Sequence, residues 1–170
     1  MRWFVRMELG LGPRGFAENN ALLEESGYGG VKFWATLDGA YMFHRHVGAG
    51  VWLGMNRRSS QPGGTSARLN EAAYFVGAQL PILLWGRRAF AFHATPRVAF
   101  LGGELELDDG EDTQFQETAI FGGALSFQSF TYHLGSSIGF LHAPAGAPGE
   151  LGRGHDYGGL YFTIGGTLDG

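Results

Sequence analysis

The stretch VKFWATLDGAYMFH, residues 31–44, decides the fold. Val31, Phe33, Ala35, Leu37, Gly39, Tyr41 and Phe43 share one parity, and Lys32, Trp34, Thr36, Asp38, Ala40, Met42 and His44 share the other. A period of two marks extended backbone, because successive strand side chains point to opposite faces. The same period runs outward in both directions. Arg2–Gly12 sets Trp3, Val5, Met7, Leu9 and Leu11 against Phe4, Arg6, Glu8 and Gly10. Val47–Asn56 and Glu71–Leu84 follow it, then Phe90–Gly103, Phe115–Ser129, Tyr132–Leu141 and Tyr157–Leu168. These are eight strands of roughly 10–15 residues, longer than the usual ~5–6.

Their connections alternate in length. Gly12–Gly30, Arg57–Asn70, Glu104–Asp112 and His142–Asp156 are long and polar. Those around His44–His46, Gly86–Arg88 and Phe130–Thr131 are tight. That rhythm is an antiparallel up-and-down meander, and eight strands can close it into a barrel without exposed edges. Residues 1–170 read as one all-β domain with both termini on the short-turn side. Gly10–Gly15 matches GxGxxG, but Arg6 and Glu8 interrupt the strand before it, so it reads as a turn. Phe16–Ser26 could close a short helical turn through Leu22 and Leu23.

Composition narrows the setting. A net charge of −4 excludes a nucleic-acid module built on a basic face, and the absence of cysteine excludes disulfides, thiolate metal sites and a cysteine nucleophile. The start, MRWFVRMELG, has no apolar core of a leader and reads as strand. Charged residues are only 16% of the chain, and the strand segments, trimmed at their ends, hold just Arg2, Arg6, Glu8, Lys32, Asp38, Arg97 and Glu117. A water-facing wall needs more charge than that. The bulky apolar face therefore points outward to lipid, and the small, weakly polar face points into a narrow lumen. Trp3, Tyr41, Phe43, Trp85, Phe90, Phe127, Phe130 and Tyr132 gather beside the short turns, where an interfacial aromatic girdle belongs.

With this alternation, its glycine and aromatic usage and its final strand, GGLYFTIGGTLDG, the chain resembles the small eight-stranded outer-membrane barrels of Gram-negative bacteria, the OmpA/OmpX-like superfamily. The resemblance implies a transmembrane barrel in the bacterial outer membrane, with short turns facing the periplasm and four longer loops facing outside. It also implies contact with outer-membrane lipids and lipopolysaccharide, and envelope or surface protein partners met through the loops.

The inward parity collects Arg6, Glu8, Lys32, Asp38 and Arg97, with Gln79, His93 and Gln116 beside them. Charges in a closed lumen must pair, so these residues read as a polar plug rather than a gated pore. In the third loop, Asp108, Asp109, Glu111 and Asp112 read as a solvated acidic tip; Ca2+ would be the ion to suit their hard oxygens, and no other cofactor is implied. His133, Ser136, Ser137 and His142 raise the chemistry of lipid A deacylases and acyltransferases. His133 and Ser137, however, stand about 13 Å apart by strand rise, and no HxSN-type motif is present. His44-Arg45-His46 reads as a charged turn before it reads as a metal site. The functional expectation is a non-enzymatic outer-membrane barrel serving envelope integrity, surface interaction or anchoring. A soluble lipocalin-like small-ligand carrier and a barrel-rim lipid A-modifying enzyme are the alternatives.

Overall fold

The computed structural model describes residues 2–13, 25, 27, 30–61, 68–107, 112–146 and 153–170, with the side chains of all of these except 105–107, 112–119, 144–146 and 153–156. The strands are β1 (Trp3–Gly12), β2 (Lys32–His44), β3 (Val47–Ser60), β4 (Leu69–Gln79), β5 (Ile82–Arg87), β6 (Phe90–Leu107), β7 (Asp112–Ser129), β8 (Leu134–His142), β9 (Pro144–Gly146), β10 (Arg153–Asp156) and β11 (Gly159–Asp169). Each barrel strand pairs antiparallel with its neighbours in the chain, and β11 returns to β1, from Phe4 opposite Asp169 to Leu11 opposite Phe162. The sheet is thus a closed eight-walled barrel of up-and-down topology.

The fourth wall corrects the expected strand Glu71–Leu84. It breaks at Leu80-Pro81 into β4 and β5. Pro81 has no N–H to give the ladder. Its carbonyl still accepts from Gly48 N–H at 2.9 Å, and Leu80 N–H donates to Pro96 O at 3.0 Å. Two expected loops are shorter than their sequence implied. Residues 57–60 belong to β3, and β6 and β7 reach Leu107 and Asp112. The fourth loop holds the small hairpin β9–β10, which the sequence reading missed. Gly86 and Arg87 lie in β5, and the tight turn there is Arg88–Ala89. The last short turn runs from Phe130 to His133, and His133 adopts a left-handed φ of 51°. Of the expected helical turn at 16–26, only Glu25 lies within the described residues, and it is helical.

The faces fall as parity requires. Val5, Met7, Leu9, Leu37, Val51, Val76, Val98, Phe121, Ile138 and Phe162 all point outward and are exposed. Arg6, Glu8, Lys32, Asp38, Arg58, Glu71 and Arg97 point inward and are buried. This inverts the distribution of a water-soluble domain. The interior is layered along the barrel axis. Charged residues near the long loops come first, then the aromatic layer Trp34, Trp52, Phe75 and Tyr161, then a second charged layer. Phe4, Ala40, Met42 and Leu83 close the short-turn end.

Space for these large side chains comes from glycines on the same face. A Cβ at Gly165 would run into the carbonyl oxygen of Met7 on β1, whereas Gly166, one residue on, faces outward with nothing within 4 Å. Gly165→Ala is therefore expected to cost about 1–3 kcal/mol. Gly166→Ala should stay within about 0.5 kcal/mol. Urea titrations of the two variants check this, and equal losses would contradict the assignment of faces.

Candidate functional site

Two charged clusters fill the lumen. Near the long loops, Glu71 on β4 receives Lys32 Nζ from β2 at 2.5 Å and Arg58 Nη2 from β3 at 2.7 Å. Lys32 Nζ also donates to the carbonyl of Tyr157 at 3.0 Å, and Asn56 Nδ2 donates to the same oxygen at 2.7 Å. These bonds draw the segment entering β11 into the barrel mouth. Burial, and after it the charge of Glu71, pushes the Tyr157 hydroxyl well above its ordinary pKa, so the phenol stays neutral.

Beneath this cluster lies the aromatic layer. Trp34 stacks on Tyr161 with centroids 4.7 Å apart and on Phe75 at 5.7 Å, and Trp52 stacks on Phe75 at 5.9 Å. The Arg97 guanidinium lies over Trp52, 5.0 Å from the ring centroid.

The second cluster centres on Asp38. Arg6 reaches it from β1 with Nε at 3.0 Å and Nη2 at 2.9 Å from Oδ1 and Nη2 at 3.0 Å from Oδ2, a fork that matches carboxylate geometry. Arg97 reaches the same carboxylate at 3.4 Å, donates to Tyr161 Oη at 2.7 Å and to Gln79 Oε1 at 3.3 Å. Glu8 accepts from Ser137 Oγ at 2.7 Å and Thr163 Oγ1 at 2.8 Å. Gln128 donates to Thr167 at 2.7 Å, and His93 packs 5.7 Å from the Phe4 ring.

Seven of the eight residues expected in the lumen are therefore inside, and the Gln116 side chain lies outside the described ones. They do not form one network. Lys32 belongs to the upper cluster, while Arg6, Asp38, Gln79 and Arg97 form the lower one. Arg58 was missed because residues 57–70 read as loop, and Asn56 and Glu71 because they are the end residues of their expected strands. The signal was present: Glu71 has the parity of Ala73 and Phe75, and Arg58 that of Asn56.

The Ser and His residues do not assemble. Ser137 Oγ is committed to Glu8 in the lumen, and Ser136 lies on the other face. His133 is exposed in the last short turn, 3.9 Å from Asp169, and His142 packs on Phe121 at 5.2 Å. His44 Nδ1 accepts the His46 N–H at 3.3 Å, and the two rings lie 5.8 Å apart. Among the described residues no group of three or more His, Asp or Glu is placed to hold a metal. Asp108, Asp109 and Glu111, and the side chain of Asp112, lie outside them. Of the aromatic set, Trp3, Tyr41, Phe43, Trp85, Phe127 and Tyr132 are exposed near the short-turn end; Phe90 and Phe130 are half-buried.

No protein-family model matches the chain, and no curated protein matches its sequence. Solved structures do. Ail, the attachment invasion locus protein of Yersinia pestis, aligns over 99% of this chain and 100% of its own with a TM-score of 0.60 at 12% identity. A second structure of Ail, in complex with the heparin analogue sucrose octasulfate, aligns equally well. Neisserial surface protein A aligns over 98% of this chain and 96% of its own with a TM-score of 0.69 at 10% identity. The fold is the closed eight-stranded barrel of these outer-membrane proteins.

Asp38 is the counter-charge of two buried guanidinium groups. Asp38→Ala is expected to cost about 3–5 kcal/mol, since it takes the hydrogen-bonded counter-charge from both cations in a closed lumen. Glu8→Gln keeps an acceptor for Ser137 and Thr163 and should cost about 1–2 kcal/mol. Urea titration of the folded barrel orders the two variants.

Proposed function

We propose that this chain is a non-enzymatic outer-membrane barrel of a Gram-negative bacterium, with a lumen plugged by its two charged clusters and with its long loops turned outside. It serves surface interaction, envelope integrity or the anchoring of an envelope assembly. One observation carries this reading. Large apolar side chains are exposed on every wall, while Arg6, Glu8, Lys32, Asp38, Arg58, Glu71 and Arg97 are buried. Water would not support that arrangement; hydrocarbon would, because a closed barrel leaves no backbone group for lipid to satisfy. The exposed aromatics beside the short turns then lie at headgroup depth, with outer-membrane lipid and lipopolysaccharide around the wall.

A lipocalin-like carrier needs an apolar cavity, and here Trp34, Trp52, Phe75 and Tyr161 occupy that space. A lipid A-modifying enzyme needs Ser and His in contact, and Ser137 bonds to Glu8 instead. The loops are the working surface of the protein, as barrel walls serve as scaffold. Ail has been crystallised with a sulfated heparin analogue. The acidic run from Glu104 to Asp112 makes a polyanion a poor match for these loops and a cationic partner, or a Ca2+ ion, a better one.

Membrane fractionation with heat-dependent gel migration tests the compartment. The chain should sediment with outer membrane and migrate differently before and after boiling. Recovery in the soluble fraction without detergent would overturn the reading. Planar bilayers containing the barrel should show no conductance steps, and lipid A mass spectra should be the same with and without the protein.

A further inference from the structure

Charge is divided between the two ends of the barrel. The long-loop segments carry Glu18, Glu24, Glu25, the acidic run Glu104–Asp112, Glu150 and Asp156, which outnumber their Arg14, Arg57, Arg58, Arg68 and Arg153. The short-turn end carries Arg2, Arg45, Arg87 and Arg88, all exposed. Among the described residues, Asp169 is the carboxylate beside them. His44, His46 and His133 lie at the same end. Two turns bring three of these arginines onto adjoining walls. Leu83 N–H donates to His46 O at 2.8 Å and Ile82 stands opposite Val47, so the Arg45 turn borders the strand that ends at Arg87.

β5 continues beyond this contact. From Leu84 to Arg87 its residues are exposed on both faces. Among the described residues no strand pairs with that stretch on the side away from β6. Unpaired backbone N–H and C=O groups cannot sit in hydrocarbon. This hairpin therefore stands at headgroup depth or beyond it. Arg87 holds its guanidinium 5.7 Å from the Trp85 ring centroid, so cation and amphipathic ring are presented together.

We propose that the short-turn end is a docking surface for the anionic headgroups of phospholipids in the leaflet on that side. The inference rests on the membrane reading above and adds to it a lipid class and a location. Charge complementarity is the first argument: four exposed arginines face that leaflet, and basic residues beside a membrane are drawn to its anionic lipids. Distribution is the second. Arg2, Arg45, Arg87 and Arg88 stand at three successive points of the rim, from the start of β1 through the β2–β3 turn to the β5–β6 turn, interleaved with Trp3, Tyr41 and Trp85. An arc of cations and amphipathic rings along five neighbouring walls suits a planar layer of headgroups. An extended acidic peptide added to the open β5 edge would meet Arg87, Arg88 and the neighbouring Arg45 and leave Arg2 and Trp3 unused.

The test reconstitutes the full chain into vesicles of phosphatidylcholine and into equimolar phosphatidylcholine and phosphatidylglycerol. Heat-dependent migration reports insertion in each. Electron paramagnetic resonance of spin-labelled forms of the two lipids then gives their relative association with the barrel. Phosphatidylglycerol should be preferred by about fivefold or more. The preference should vanish in the R45Q/R87Q/R88Q variant, which should still insert. Insertion into both vesicles with no preference, or a preference unchanged in that variant, overturns this inference alone. Failure to insert into either overturns the membrane reading and the inference with it. Capture of a polyglutamate peptide by a barrel without lipid preference, lost in Leu84→Pro, overturns it in favour of strand addition.

Discussion

A sheet that turns through eight strands and meets itself again has no free edge along most of its length. Here the meeting is the ladder between β1 and β11, from Phe4–Asp169 to Leu11–Phe162. Once the backbone is satisfied within the ring, the outer surface is released from any need for polar side chains, and it carries almost none between the rims. The inner surface is constrained in the opposite sense. Eight strands enclose a space that side chains can fill, so whatever points inward must pack and must find partners there.

The lumen meets that constraint by pairing large with small. The Tyr161 ring lies where a side chain at Gly139 would stand, and Gly165 gives way to the backbone of β1. Into the room so made go two charged layers held apart by stacked aromatics. Each layer is organised by one carboxylate that serves two cations, Glu71 above and Asp38 below. The upper layer also fastens the chain at Tyr157, through Lys32 and Asn56. The barrel mouth is thus narrowed by main chain as well as by side chains.

Parity made most of this legible. The alternation at Val31–His44 alone assigns Lys32, Trp34, Thr36 and Asp38 to one face, and the structure buries all four. Scarcity of charge in the strands told which face was inward. What parity could not give was partnership across the lumen. Arg6 pairing with Asp38 while Glu8, two residues on, turns to Ser137 and Thr163 depends on the stagger between strands distant in sequence. Strand ends were the other loss. Arg57-Arg58-Ser59-Ser60 is polar enough to pass for loop, although it is the rim of a wall whose outer face has already left the apolar zone. The break at Leu80-Pro81 was readable from the proline itself, since a ladder position without an N–H is a natural place for a strand to bend.

Arg97 has a consequence for how the molecule comes together. Its guanidinium contacts Asp38, Trp52, Gln79 and Tyr161, which lie on β2, β3, β4 and β11 while it sits on β6 itself. Five walls thus share one side chain, with partners as far as 64 residues away in sequence. No run of consecutive strands shorter than β2 to β11 contains all of them. A partly assembled sheet would hold a cation whose neutralisation and packing wait on the last strand. Assembly is therefore all-or-none in character and slow to nucleate, as expected where long-range contacts dominate. Removing any one hairpin should cost the whole barrel rather than a part of it, which makes the fold tolerant of change in its loops and intolerant of change in its strand number.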